Sequence, residues 1–228
     1  ALHIVGPPVL NAVLDQTSEQ ETLRVFPVAL VCSMLMLLYL FRSVRASLVA
    51  ATSAGLSILL TMGILGSSGY ELNMVTAALP SLLWVLSLSN GIHVLRRYQV
   101  WRQDVEAPRR AMQLALADTA RPCALSAITT ALGFLSLTTA TMAPVRELGI
   151  FAAAGMMLSL VVNLSLGPAF AVLIRVPAVR QRRGMLDAMA DFAARLVGRY
   201  PRWILGVSVA GVLLAAASIF QIRVESDP

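Results

Sequence analysis

The sequence predicts an all-α integral membrane protein, a polytopic bundle of six transmembrane helices, and three observations lead to this fold class. Hydrophobic residues make up 57% of the 228 residues and charged residues 13%, and the mean hydropathy is +0.75, unlike a soluble domain. The apolar residues form six runs long enough to cross a bilayer core about 30 Å thick as helices. The runs are continuously apolar instead of alternating at period two, which favours helices over a membrane barrel.

Two of the connections between the six runs are short and are predicted to be turns. Ser67–Asn73 and Met142–Glu147 both contain helix-breaking residues. Pro80 and Pro168 lie inside predicted spans, where proline kinks a helix. The predicted spans are Val25–Phe41, Ala46–Gly66, Met74–Leu95, Pro122–Thr141, Leu148–Ile174 and Pro201–Phe220.

The distribution of arginine predicts the orientation of the helices. All 18 basic residues are arginine, and 15 of them lie in the connections after the first, third and fifth predicted spans. The opposite side has three, Arg24, Arg146 and Arg223. Because cytoplasmic loops of membrane proteins accumulate arginine, we expect the three rich connections in the cytoplasm and both chain ends on the periplasmic side.

Two of the arginine-rich connections are predicted to contain helices that lie on the membrane surface. Gly184–Arg199 repeats apolar residues every three or four positions and places charged residues on the opposite face. A similar but shorter repeat follows Pro108, a residue that suits the first turn of a helix. A solvated connector is the alternative interpretation.

Several functional classes are excluded by the composition and by missing motifs. A net charge of +6 suits nucleic-acid binding, but the arginines lie between apolar runs and form no single stripe with aromatic residues, so no nucleic-acid partner is expected. Cys32 and Cys123 lie in apolar runs, where cysteine packs as a small apolar residue. No phosphate loop, cysteine-histidine metal spacing or serine-histidine-acid set is present, so we expect no enzymatic activity, cofactor or metal.

The polar residues inside the predicted spans are the candidate functional residues. None of the twelve carboxylates falls within a predicted span. In the third span, His93 shares a helical face with Asn90 and Ser89, and histidine titrates near neutral pH, so a proton-relay role is one interpretation. The other is that Ser89 and Asn90 bond to a neighbouring helix while His93 lies at the headgroup boundary. Thr129 and Thr130 of the fourth span are expected to face Asn90.

Two stretches carry a resemblance to a known family. Ala120–Leu173 contains Thr-Thr-Ala-x-Gly-Phe at 129–134 and Arg-Glu-Leu-Gly at 146–149, and Leu72–Gln99 ends in Ile-His-x-Leu-x-x-Tyr. These stretches resemble the resistance-nodulation-division permeases. The resemblance is to the branch of mycobacterial large membrane proteins (MMPL), hopanoid exporters and sterol-sensing-domain proteins.

The resemblance implies that the six spans are helices two to seven, about half of a twelve-helix permease in the bacterial inner membrane. On that plan, residues 1–23 end a first periplasmic domain and connect it to the bundle, and 24–174 hold helices two to six. Residues 175–200 form a cytoplasmic loop with an amphipathic helix, 201–220 form helix seven, and 221–228 begin a second periplasmic domain. The implied partners are the lipid bilayer, a hydrophobic or lipid substrate, and further copies of the chain or accessory periplasmic proteins.

The resemblance also implies a function, an exporter of hydrophobic or lipid-like molecules driven by the proton gradient. One departure bears on it: proton-driven members usually carry an aspartate in the fourth helix, where this sequence has Ser89 and Asn90. Three explanations are open. The second half of the permease supplies the ionisable group, or His93 takes the place of the aspartate, or the protein is not proton-driven. The alternative functions are a non-pumping lipid- or sterol-sensing or scaffolding membrane protein of the same fold, and an inactive fragment.

Overall fold

The structure is a computed structural model that describes residues 26–70, 73, 75–178 and 185–219, and within those ranges the regular structure is helical throughout. This confirms the predicted all-α fold class. Short 3₁₀ turns at Thr76–Ala78 and Leu137–Thr139 adjoin two of the helices. The α-helices are α1 (Phe26–Phe41), α2 (Val44–Ser67), α3 (Leu79–Asp104), α4 (Pro108–Ser136), α5 (Ala143–Leu164), α6 (Leu166–Leu173), α7 (Met185–Arg199) and α8 (Pro201–Ile219).

Four helical segments of the described chain are long and apolar enough to cross a membrane. They match the second to fifth predicted spans and comprise Val44–Ser67, Thr76–Asp104, Pro108–Thr139 and Ala143–Leu173. The helices α1 and α8 lie where the first and sixth spans were predicted, and α1 is shorter than the four long segments. The predicted periplasmic segments, 1–23 and 221–228, lie outside the described residues.

The predicted start of the fourth span at Pro122 is wrong. α4 already begins at Pro108 and runs without interruption through Pro122, so the surface helix predicted after Pro108 is the first part of the same helix. Alanine, leucine, methionine and glutamine dominate the intervening sequence, and these strong helix formers carry the helix through one proline. Asp118, predicted to lie in a cytoplasmic connection, is therefore part of α4.

The predicted fifth span is divided into two helices. α5 ends at Leu164, Ser165 interrupts the helix, and α6 begins at Leu166. Pro168 explains the position of the break, because a proline ring clashes with the carbonyl four residues earlier, here that of Leu164. The interruption expected at Pro168 is thus displaced toward the N-terminus by a few residues.

Two other prolines start helices instead of interrupting them. Pro80 lies in the first turn of α3 and Pro144 in the first turn of α5, where the missing N–H has no helical acceptor to lose. The predicted kink at Pro80 is therefore wrong. The predicted turn at Met142–Glu147 is also wrong from residue 143 onward, because those residues belong to α5. The other predicted turn, Ser67–Asn73, is confirmed in its described first part: α2 ends at Ser67, and Gly69 has a φ of 73°. Residues 71 and 72 lie outside the described residues.

The first of two compact units comprises Ala1–Arg180, and within it α2, α3 and α5 pack against one another, with α4 against α3 and α5. Small residues allow the close approach. A Cβ at Gly155 would lie 2.7 Å from the side chain of Leu83, and one at Gly149 would lie 2.6 Å from the backbone oxygen of Phe134. Large apolar side chains cover the outer surface, as lipid contact requires.

The second unit, Gln181–Pro228, contains α7 and α8. α7 occupies Met185–Arg199 and so confirms the helix predicted in that connection. Its location on the membrane surface stays a prediction. The aromatic residues Tyr200 and Trp203 at the start of α8 are exposed.

Candidate functional site

The predicted site residues of α3 line a cavity between α3 and α4. This α3–α4 cavity has a volume of about 290 Å³. Ser89, Asn90 and His93 belong to it because offsets of three and four residues place them on one face of α3. The residues of α4 that complete the lining are Thr119, Pro122, Cys123 and Ser126.

Asn90 is the buried polar residue of the α3–α4 cavity. Its exposed fraction is 5%, and its Nδ2 atom has no hydrogen-bond partner in the described part of the chain. A buried amide donor without an acceptor costs about 1–3 kcal/mol. Ser89 and His93 are exposed on the same face. The cavity therefore combines a buried hydrogen-bond donor with an imidazole that can carry a proton.

The two threonines predicted to face Asn90 lie elsewhere on α4. Thr129 is exposed, and its hydroxyl donates to the backbone oxygens of Leu125 at 2.9 Å and Ser126 at 3.0 Å, within its own helix. Thr130 is half-buried. The structure thus brings Ser89, Asn90 and His93 together, while the residues of α4 that line the cavity come one to three turns earlier.

Those α4 residues were missed for an identifiable reason. Thr119, Cys123 and Ser126 are spaced by four and three, which places them on one helical face. The pattern becomes visible only when Pro122 is placed inside a helix instead of at the start of one. Cys123 was interpreted as apolar filler and is indeed buried, but it also borders the cavity.

A second polar feature, the asparagine–serine cluster (Ser57, Ser87, Ser159 and Asn163), joins α2, α3 and α5. Nδ2 of Asn163 lies 3.0 Å from Oγ of Ser87, 2.9 Å from the backbone oxygen of Ser159 and 3.2 Å from Oγ of Ser159. The Ser87 hydroxyl in turn lies 3.3 Å from Oγ of Ser57. All four residues are buried, so their hydrogen bonds fix the three helices together.

Gly91 provides the space for this cluster. A Cβ at Gly91 would lie 2.8 Å from Oδ1 of Asn163, closer than a carbon and an oxygen atom can approach without displacement. Ser87 and Gly91 are one turn apart on the face of α3 toward α5, while Ser89 and His93 lie on the face toward α4. One face of α3 is therefore locked to its neighbour while the other borders the cavity.

Asn163 and Ser159 were not predicted as site residues. The fifth span was interpreted as a long apolar run. Asn163 is nevertheless an asparagine inside a predicted span, as is Asn90, which was selected as a candidate for that reason. Asn163 would have been found by treating every asparagine inside a predicted span as a candidate site residue. A buried amide needs hydrogen-bond partners wherever it lies in the bundle.

An ion pair joins α3 to α4 beyond the cavity. Nε of Arg97 lies 2.6 Å from Oδ2 of Asp118, and Nε1 of Trp101 donates to the same oxygen at 2.9 Å. The Arg97 guanidinium also lies 5.7 Å from the centroid of the Trp101 ring. Arg97 is one turn from His93, and Asp118 precedes Thr119, so this cluster fixes one end of the α3–α4 cavity.

Comparison with known proteins places these features in a family context. A model of the MMPL family matches residues 1–204 of the chain. MJ1562 of Methanocaldococcus jannaschii, whose name assigns it to the membrane and to no activity, is 26% identical over 182 residues. MmpL12 of Mycobacterium tuberculosis, whose name assigns it provisionally to transport, is 24% identical over 200 residues in each of two strains.

The two relatives are longer than this chain. The match to the archaeal protein covers 78% of this chain and 47% of that protein. The match to the mycobacterial protein covers 86% of this chain and 17% of that protein. The chain therefore spans about half the length of one relative and a smaller share of the other.

Proposed function

The chain belongs to the MMPL family, and on that premise we propose that it forms part of an exporter of hydrophobic or lipid-like molecules that is driven by the proton gradient. Its long apolar helices and its family make it a multi-pass membrane protein. The transport function is supported by the name of the mycobacterial relative. The observation that carries the coupling mechanism is the α3–α4 cavity.

His93 is the proposed proton carrier. It lines the cavity together with Ser89 and Asn90, the two residues that stand where the resemblance implies an aspartate in proton-driven members. An imidazole has a ring nitrogen that can accept and release a proton, which serine and asparagine side chains lack. The buried Asn90 amide is placed to donate a hydrogen bond within the cavity when the proton is elsewhere.

The apolar outer surface supports the proposed substrate class, and the charge of the cavity lining is consistent with it. Among the described residues, the lining contains hydroxyl, amide, thiol and imidazole groups and no carboxylate, so these residues offer a cationic solute no opposite charge. The outer surface of the first unit is covered by exposed large apolar residues, including Leu59, Val85 and Leu125. Molecules that partition into lipid can reach such a surface directly from the bilayer.

Transport by the complete protein in proteoliposomes tests the proposal. With a pH gradient imposed, we expect the wild-type protein to move a fluorescent lipid and the His93→Ala variant to fall to the rate of protein-free liposomes. Thr129→Ala is the matched control, because Thr129 is exposed and its hydroxyl bonds, among the described residues, to oxygens of its own helix. Movement that is independent of the gradient, in protein shown to be folded, contradicts proton-driven export.

A second candidate function is a lipid- or sterol-sensing or scaffolding protein that does not pump. The presence of Ser89 and Asn90 in place of the expected aspartate favours it, since neither side chain exchanges a proton at physiological pH. The asparagine–serine cluster also favours it, because helices fixed by buried hydrogen bonds suit a static binding surface. Saturable lipid binding by wild-type protein that moves no lipid in proteoliposomes would select this function over export.

A further inference from the structure

A cleft with two arginines lies in the first unit, between the start of α4 and the end of α6. This basic cleft has a volume of about 530 Å³. Arg109, in the first turn of α4, and Arg175, just after α6, both line it. It is separate from the α3–α4 cavity, with which it shares no lining residue among those described.

The two arginines carry charge that no described residue compensates by an ion pair. Both are exposed, and neither has a side-chain hydrogen bond or an ion pair within the residues that the structure describes. The neighbouring Arg110 differs, because its Nη1 lies 3.4 Å from Oε1 of Gln113. Arg175 has a φ of 52°, the left-handed conformation that ends α6, and its backbone N–H donates to the backbone oxygen of Val172 at 3.2 Å.

The remaining wall of the cleft is apolar. Ala169, Val172 and Leu173 of α6 contribute to it, and Leu173 is 77% exposed. Arginine guanidinium groups bind phosphate oxygens with directed hydrogen bonds. An aliphatic wall does not stabilise a small, fully hydrated anion, but it can pack against an acyl chain. The juxtaposition of an apolar wall and two arginines that have no ion-pair partner among the described residues therefore suits an amphiphile with an anionic head.

We propose that the basic cleft binds the phosphodiester headgroup of an anionic membrane phospholipid. Arg109 and Arg175 hold the phosphate oxygens, and an acyl chain follows the apolar wall of α6. Basic pockets between transmembrane helices bind anionic headgroups for the same electrostatic reason. The bound lipid bridges the start of α4 to the end of α6. This site is independent of the proposed transport function, since it uses none of the residues assigned to proton transfer.

Native mass spectrometry of the complete protein in detergent tests this site. At a low lipid-to-protein ratio we expect phosphatidylglycerol to bind more tightly than phosphatidylcholine. One arginine near an anionic headgroup contributes a factor of about five in affinity, so the double variant Arg109→Gln and Arg175→Gln should lose about 25-fold in phosphatidylglycerol affinity. The matched control Arg110→Gln should keep the wild-type affinity, because Arg110 does not line the cleft.

Two further measurements keep the proposal falsifiable without relying on the double variant. Phosphatidylcholine retained as well as phosphatidylglycerol by wild-type protein would overturn it, since both lipids offer the same acyl chains. Inorganic phosphate that displaces the lipid at equal concentration would show that the cleft prefers a free anion, and would also overturn it. Loss of binding in Arg109→Gln or Arg175→Gln alone, with unchanged thermal unfolding, would support it.

Discussion

Replacing Gly91 with alanine would place a Cβ 2.8 Å from Oδ1 of Asn163. The amide has little room to move, because its Nδ2 is held by buried oxygens of Ser87 and Ser159 at 2.9–3.2 Å. Displacement of the amide breaks donations to those oxygens and costs about 2–3 kcal/mol. Alanine in place of glycine favours a helix by about 1 kcal/mol. The net expectation is a destabilisation of about 1–2 kcal/mol.

The free energy of unfolding, measured by SDS titration of the complete protein in mixed micelles, is the appropriate assay. Gly133→Ala is the matched control, since Gly133 lies inside α4 and a Cβ there meets nothing within 4 Å. We expect that control to be neutral or stabilising by up to about 1 kcal/mol. Equal effects of the two substitutions would refute the packing argument.

A double-mutant cycle isolates the contact between the two side chains. In an Asn163→Ala background the space beside Gly91 is open, so Gly91→Ala should become neutral or stabilising. The expected coupling energy between the two positions is about 2–3 kcal/mol, typical of the upper range for residues in direct contact. If Gly91→Ala changed the free energy of unfolding equally in both backgrounds, the new Cβ would not be in contact with the Asn163 side chain.

Two other substitutions have expected outcomes in the same assay. Gly149→Ala should destabilise the protein more than Gly91→Ala, because its Cβ would lie 2.6 Å from the backbone oxygen of Phe134, which cannot rotate away; an equal or smaller effect contradicts this. Asp118→Asn should destabilise less than Gly91→Ala, since its ion pair with Arg97 is exposed. Added salt should weaken the wild-type protein and leave the Asp118→Asn variant unaffected if the pair contributes.

The sequence was sufficient to predict the helical fold, because apolar runs of bilayer length have few alternatives. It was insufficient for the helix ends, since the effect of proline depends on its position. Pro80 and Pro144 start helices, Pro122 lies inside one, and Pro168 follows a break. The position of each proline relative to the helix start separates these outcomes.

The residues that α3 contributes to the candidate site could be predicted from the sequence, but the residues that α4 contributes could not. Periodicity along α3 groups Ser89, Asn90 and His93 without knowledge of any neighbour. Which residues of α4 complete the cavity depends on how far α4 is displaced along α3, a quantity that no local pattern contains. The same limit applies to Asn163, whose partner Ser87 is 76 residues away in the sequence.

The central claim is that proton transfer through His93 drives export, and substrate-dependent proton flux tests it most directly. Proteoliposomes that contain the complete protein and an internal pH-sensitive dye would be given a pH gradient, with and without a lipid-like substrate. We predict that substrate accelerates the collapse of the gradient with wild-type protein and Thr129→Ala, and has no effect with His93→Ala. Equal substrate-dependent proton flux in His93→Ala and wild-type protein would contradict the account.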